Sequence, residues 1–219
     1  DFRDFHDMYE TEVPGARLES EASLLAAEVV LDWVYVVRDQ RRELVERPID
    51  MLVTQVQQQE VPVVVGEGSV PLRFCRAGRE LVWTLQLHAN ARHRRHLHFD
   101  SATADGQPQR HLLAEARLLV NGHERVPWMD ATYFYLIQNY QHHNDYSKLF
   151  CYLISFANAP LKREPTGSLN FSRLDDVTLQ IRPNPRYVNP DSPARLRVWA
   201  VSQNELRVRS GMGALRWAS

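Results

Sequence analysis

Glu80-Leu81-Val82-Trp83-Thr84-Leu85-Gln86-Leu87-His88 sets Leu81, Trp83, Leu85 and Leu87 against Glu80, Thr84, Gln86 and His88. Successive side chains of a strand point to opposite faces, so this pattern suits a strand half-buried on a sheet; a helix needs apolar residues three and four apart. The same period recurs along the chain. Glu28 to Arg38 places Val29, Leu31, Trp33, Tyr35 and Val37 on one face, and His111 to Val120 does so with Leu112, Ala114, Ala116, Leu118 and Val120. Val177, Leu179 and Ile181 alternate with Thr178, Gln180 and Arg182. Leu196, Val198 and Ala200, then Leu206 and Val208, keep one parity through the polar Ser202-Gln203-Asn204.

Turn chemistry separates these runs: Asn121-Gly122 supplies a left-handed turn, and Gly66-Glu67-Gly68, Asp105-Gly106 and Pro183-Asn184-Pro185 mark loops. Helical character is confined to Asp39 to Glu46, with Asp39 placed to cap, and a short turn opened by Pro48. Many strands and few helices predict an all-β fold: an eight-stranded antiparallel sandwich with one or two short loop helices. Residues 1–25, polar and broken by Pro14-Gly15, read as an N-terminal arm or linker, and residues 26–219 as one domain.

The chain has 219 residues, 44% hydrophobic and 24% charged, long enough for a core that stands without staples. Its net charge of -1 gives no general pull toward nucleic acid or anionic membrane. The charge is uneven. Asp1, Asp4, Asp7, Glu10, Glu12, Glu19, Glu21 and Glu28 outnumber Arg3 and Arg17, whereas the last third carries Arg182, Arg186, Arg195, Arg197, Arg207, Arg209 and Arg216. Such ends could meet head to tail in an assembly, or be solvated faces. Cys75 and Cys151 are the two cysteines, both in apolar runs, so one pairing is conceivable and reduced thiols in a reducing compartment are the better expectation. No run approaches 18 apolar residues, so no membrane span is expected. The chain opens on Asp1 without an initiator Met or the apolar core of a secretory signal, as a processed or trimmed chain would.

Catalytic signatures are sparse. There is no Gly-x-Ser-x-Gly elbow and no Gly-rich phosphate loop with a Lys, and Lys148 and Lys162 are the only lysines. His88, His93, His96 and His98 fall close together, and His96-Leu97-His98 would put two rings on one face of a strand. A metal-holding cupin, itself a jelly roll, uses such a pair. Here Arg92, Arg94 and Arg95 interleave and oppose a divalent cation, so an exposed polar loop or a contact with a neighbouring subunit or acidic partner is expected instead, and no metal or other cofactor. His142-His143 point to opposite faces if extended and ligate one ion poorly.

Ala116-Arg117-Leu118-Leu119-Val120-Asn121-Gly122-His123-Glu124-Arg125 is followed by Tyr133-Phe134, Gln138-Asn139-Tyr140-Gln141-His142-His143 and Leu149 to Ala157. Then come Pro165-Thr166-Gly167-Ser168-Leu169-Asn170-Phe171-Ser172-Arg173-Leu174-Asp175, Trp199 to Val208, and Ser210-Gly211-Met212-Gly213-Ala214-Leu215. This order resembles the C-terminal jelly roll of the major capsid proteins of nucleocytoplasmic large DNA viruses, over roughly residues 26 to 217. Gln203 stands where that family usually has an aromatic, and Asn144-Asp145-Tyr146 replaces its usual turn.

The resemblance implies a non-enzymatic shell protein of the virion capsid, assembled in the host cytoplasm. It implies two tandem jelly rolls per subunit and three subunits per pseudo-hexagonal capsomer of an icosahedral shell. The partners would be copies of itself, a second jelly-roll domain or chain and other capsid proteins, with no direct nucleic acid. One roll's worth of sequence is present. A single-jelly-roll penton or minor capsid protein is the structural alternative, and a cupin-like metal-dependent enzyme the catalytic one.

The residues of the Pro165–Asp175 run carry a reading of their own. Asn170, Ser172 and Asp175 bond nearby backbone in loops, and Arg173 offers five donors, so the four are expected to form a structural loop lock with Arg173 buried. An anion site at Arg173 is the functional alternative. Asn170-Phe171-Ser172 is also a glycosylation sequon, which a cytosolic protein would not use. A flank apolar in the lone chain and covered in the particle is expected too, with Asp1 to Leu24 and Ala89 to Gln109 as candidate covering segments.

Overall fold

A computed structural model of the chain describes residues 28–104, 106–145, 148–210 and 212–217. The alternating segments become two antiparallel sheets. The first holds β1 (Ile49–Val64), β9 (Ala194–Arg209), β3 (Ala77–Leu87) and β6 (Tyr152–Ser155) in that order, with the short β7 (Leu169–Asn170) on β3 and β10 (Met212–Leu215) on β9. The second runs β2 (Gly68–Pro71), β8 (Val177–Pro183), β4 (Leu113–Val120), β5 (His123–Asp130). Eight principal strands passing back and forth between two four-stranded sheets in this order make a jelly roll. Strand accounts for 45% and helix for 16% of the structure.

Among the described residues three short α-helices interrupt the strands: α1 (Arg38–Glu46), α2 (His88–Arg92) and α3 (Gln138–His143), the last entered through a π-helical turn at Tyr133–Ile137. Two expectations are corrected here. Pro48 opens no helical turn; it stands immediately before β1, where its missing N–H costs no ladder bond. Asp39 lies in the first turn of α1 rather than at its cap, which is Val37 without a side-chain hydrogen bond. There Asp39 still complements the helix dipole.

The inward row of β3 meets that of β9, so Leu81, Trp83, Leu85 and Leu87 pack with Leu196, Val198 and Ala200 against Val70, Ala116, Leu118, Leu179 and Ile181 of the other sheet. Phe134 from the π-helical turn sits edge-on to Trp83 at 5.1 Å between centroids, and Tyr152 lies at 5.9 Å. Asn121-Gly122 closes β4 onto β5 with both residues at positive φ, as a tight two-residue hairpin requires.

The outward row of β3 is not solvated, contrary to simple alternation: Glu80, Thr84 and Gln86 are buried too. The stretch from Ala89 to Gln109 covers this face of its own sheet. Gln86 donates from Nε2 to the carbonyls of Arg95 and His96, Asn90 donates to Ala102, and Asp100 caps Ala102 N–H at 2.7 Å. At the other end, His143 Nε2 donates to the Glu80 carboxylate at 2.8 Å. The stretch expected as a cover for an apolar flank thus packs on its own sheet, with Asn90, Phe99, Asp100 and Ala102 buried.

Candidate subunit interface

β1 is the longest edge of the molecule. Its inner side bonds β9 from Ile49↔Val208 to Val64↔Ala194, and no strand among the described residues takes its outer side. An unpaired strand of this length presents a row of free N–H and C=O groups, a template for association unless something covers it. Pro62 lies where an edge tolerates proline.

The start of this strand carries exposed apolar residues. Val29, Val30, Leu31, Trp33, Val34, Tyr35 and Val37 precede α1, with Trp33 75% and Tyr35 92% exposed. The strand expected over Glu28 to Arg38 is absent: the segment has no sheet partner among the described residues, and residues of both parities are exposed. An extended chain without a neighbouring edge leaves its backbone groups to solvent, so alternation alone cannot make it a strand. α1 buries none of its residues either, although Leu44 and Val45 lie on it. Between them, Val34, Tyr35, Leu44, Pro48 and Ile49 line an open cleft of about 750 Å³.

The sheet itself adds to this end. Met212 to Leu215 of β10 pair with Leu206 to Arg209 of β9, whose other side holds the first residues of β1. Exposed Met51, Leu52, Met212 and Leu215 therefore gather at one end of the sheet. Asn204 fastens the last turn there, donating to Trp217 O at 2.8 Å and to Gln55 Oε1 at 2.7 Å. Gly211 of the Gly-Met-Gly ending, and the acidic stretch expected to cover this flank (residues 1–24), lie outside the described residues.

The loop from Leu169 to Asp176 divides the expected lock residues. Asn170 Oδ1 accepts from Ser172 N–H at 3.1 Å, and Ser172 Oγ accepts from Arg76 N–H at 2.7 Å. Phe171 N–H donates to Arg76 O at 2.8 Å, so the loop is stitched to Arg76, which adopts a left-handed φ of 76°. Asp175 contributes its backbone N–H, which with that of Asp176 donates to Asn121 Oδ1. The expected burial of Arg173 is wrong: its side chain is exposed. The buried member of the run is Phe171, 4% exposed, edge-on to Phe74 and Phe156 and pressed on Gly78. A three-residue helical turn at Phe171–Arg173 turns the aromatic ring inward and its successors outward. Asn121 and Gly78 were missed as parts of this loop; the positive-φ turn at Asn121-Gly122 was the available signal for the first.

Among the described residues, no group of three or more His, Cys, Asp or Glu could hold a metal. His96-Leu97-His98 lie in a turn after α2 rather than in a strand, and His88 Nε2 donates to Pro62 O at 2.7 Å. His142 and His143 are helical, with His143 spent on Glu80. Cys75 and Cys151 are not joined in a disulfide. No helix of the described residues is long and apolar enough to cross a membrane.

Comparison with known proteins places this geometry. The family model for the large eukaryotic DNA virus major capsid protein matches residues 40–214. A major capsid protein of Pyramimonas orientalis virus is 29% identical over 91% of this chain and 51% of its own length. That of Chrysochromulina ericina virus is 40% identical over 104 residues, 48% of this chain and 18% of its own. The chain thus spans about half, or less, of the curated relatives it matches. Among solved structures, the PBCV-1 virus capsid aligns with a TM-score of 0.68 at 21% identity, over 84% of this chain and 55% of that one. The Faustovirus major capsid protein aligns at 0.62 and 13%, over 78% and 36%. These two likenesses establish the fold, and the family match adds the role. The chain belongs to the major capsid proteins of large eukaryotic DNA viruses, structural proteins of the virion capsid and not enzymes.

Proposed function

We propose that this chain supplies one jelly roll of a double-roll subunit, three of which close into a pseudo-hexagonal tile of an icosahedral shell assembled in the host cytoplasm. In this reading residues 1–25 are an arm, residues 26–219 the roll, and a second jelly roll covers the flank formed by residues 28–37, α1 and the start of β1. The observation that carries it is that flank. A contiguous run of exposed Val, Leu, Trp and Tyr beside an open sheet edge goes beyond the scattered apolar residues of ordinary surfaces. Obligate interfaces bury about 2,000 Å² or more and resemble a core cut in half. Closed rings need such contacts to be repeated identically between subunits. Within the roll, Asn170, Ser172 and the backbone of Asp175 act as a loop lock, with Phe171 as its anchor and Arg173 outside it.

Oxidative footprinting of Trp33 and Tyr35, in the purified chain and in assembled particles, tests the covered flank. Strong modification of the isolated chain and protection in the particle is the expected result. Equal modification in both would remove the flank from the interface. Particle mass by sedimentation supplies the count, with a three-fold species expected and a pentamer excluding the tile.

A further inference from the structure

His111, two residues before β4, stands where four segments meet. Its backbone forms a bridge with Asp100, in the stretch that covers β3, and Ser101 N–H donates to Arg110 O at 3.1 Å beside that bridge. Its ring meets Tyr135 of the π-helical turn and Phe150 of the turn before β6 edge-on, at 4.9 Å between centroids in each case. Tyr135 and Phe150 stack on each other at 5.4 Å, so the three rings close a cluster. Phe150 holds a left-handed φ of 53°, which a bulky side chain keeps only where the surrounding packing imposes it.

The polar contacts of the ring suit its neutral form. Nδ1 lies 3.3 Å from Tyr152 Oη, an oxygen that already accepts Leu113 N–H at 3.4 Å, so the phenol proton is available to a neutral Nδ1. A doubly protonated ring has no acceptor left for it. The packed segments bring Asp100, Asp130, Tyr135, Cys151 and Tyr152 around His111, and Arg110 precedes it in the chain. The Asp100 carboxylate accepts Ala102 N–H at 2.7 Å, and Asp130 Oδ1 accepts Tyr133 N–H at 2.9 Å. Burial opposes the imidazolium, and the attraction of Asp130 offsets this only in part.

We propose that His111 is an acid-sensitive latch: as a neutral ring it holds the turn at Phe150 and the cover at Asp100 against the start of β4, and on protonation both come away. Release uncovers the Tyr135–Phe150 stack, whose chain neighbours Leu136, Ile137 and Leu149 are exposed already. Acid thereby enlarges an apolar patch on this part of the roll. In the opened segment the imidazole titrates at its ordinary value, about 6.5, and in the closed one below it. Opening therefore takes up a proton between the two values, and its equilibrium constant rises by up to ~tenfold for each pH unit of fall in that window. The latch does not depend on what covers the flank at residues 28–37.

Hydrogen–deuterium exchange of the full chain, corrected for intrinsic rates and followed from about pH 8 to about pH 5, tests this. Fragments spanning residues 98–104 and 148–154 should be less protected than β3 and β9 at every pH. Their protection should fall by up to about tenfold per pH unit below ~6.5. His111→Gln, and His111→Phe, which keeps an aromatic ring in the cluster, should abolish that slope; the slope, not the absolute protection, is the readout. Asp130→Asn keeps an acceptor for Tyr133 N–H and removes the charge that favours the imidazolium, so the fall should extend to lower pH. A wild-type profile without the slope, or the same slope in both His111 variants, overturns the latch. Protection of the two fragments equal to that of β3 and β9 does so as well, since only global unfolding would then expose them.

Discussion

Gly78→Ala and Phe171→Ala, singly and together, test how the loop from Leu169 to Asp176 is held to the core. A Cβ added at Gly78 would lie 2.3 Å from Cε2 and 2.9 Å from Cδ2 of Phe171. The ring cannot swing clear, because Phe74 and Phe156 meet it edge-on at 5.9 and 6.1 Å. Gly78→Ala alone is an overpacking change and should cost about 1–3 kcal/mol. Phe171→Ala removes a ring that is 4% exposed and should cost about 3–5 kcal/mol. With the ring gone, the methyl at position 78 has no neighbour closer than 3.5 Å, which is ordinary contact. Gly78 is not in the left-handed region, so alanine there should then be neutral, or stabilise by about 0.4–1 kcal/mol through the unfolded state. The double variant should therefore be no less stable than Phe171→Ala alone. The coupling should be at least ~1 kcal/mol, against the ~0.3–0.5 kcal/mol within which independent sites add. Urea titrations of the four proteins measure it, with m unchanged as the sign that only stability has moved. If the two losses add, the ring does not bear on Gly78 and the anchor assigned to Phe171 is wrong.

Other outcomes follow from the same contacts. Arg173→Ala should leave stability within about 0.5 kcal/mol, as surface changes do, whereas Asn121→Ala should cost about 1–3 kcal/mol. Asn121 accepts from two backbone N–H groups and holds a φ of 49°, and thermal melts of both variants decide the comparison. His111, packed edge-on to Tyr135 and Phe150 at 4.9 Å each, has its pKa lowered from 6.5 by burial, partly offset by Asp130. The unfolded chain then binds the extra proton first, so stability should fall as pH drops below about 6.5; His111→Gln should flatten that part of the profile. Elemental analysis of the purified chain should find no stoichiometric zinc, iron or manganese; metal lost on His96→Ala would contradict this. Tyr152, pushed far above 10 by burial, should show no phenolate absorbance until the chain unfolds in alkali.

The strands were legible because alternation is a local property. Leu81, Trp83, Leu85 and Leu87 form one apolar row, and a one-residue slip would turn all four away from the core between the sheets. The Asn121-Gly122 hairpin was legible for the same reason, as its backbone needs two left-handed residues. The burial of Glu80, Thr84 and Gln86 was not legible. Their cover comes from Arg95, His96 and His143, and only the closed fold brings these over β3. In the Asn170–Asp175 run, sequence chemistry pointed to loop-bonding side chains, but which side chain turns inward depended on one helical turn and the space beside Gly78. Arg173 had the donors; Phe171 had the cavity.

Sequence alone thus determined the β architecture, the main turns and the poverty of catalytic groups, because each rests on residue type and spacing within a few positions. Tertiary structure decided which alternating segments became strands. Among the described residues Val29 to Val37 has the pattern and finds no partner, while Ile49 to Val64 has a mixed apolar and glutamine-rich pattern and forms the longest edge. Pairing is a property of two segments, and a single segment's periodicity cannot report whether its partner lies within the same chain.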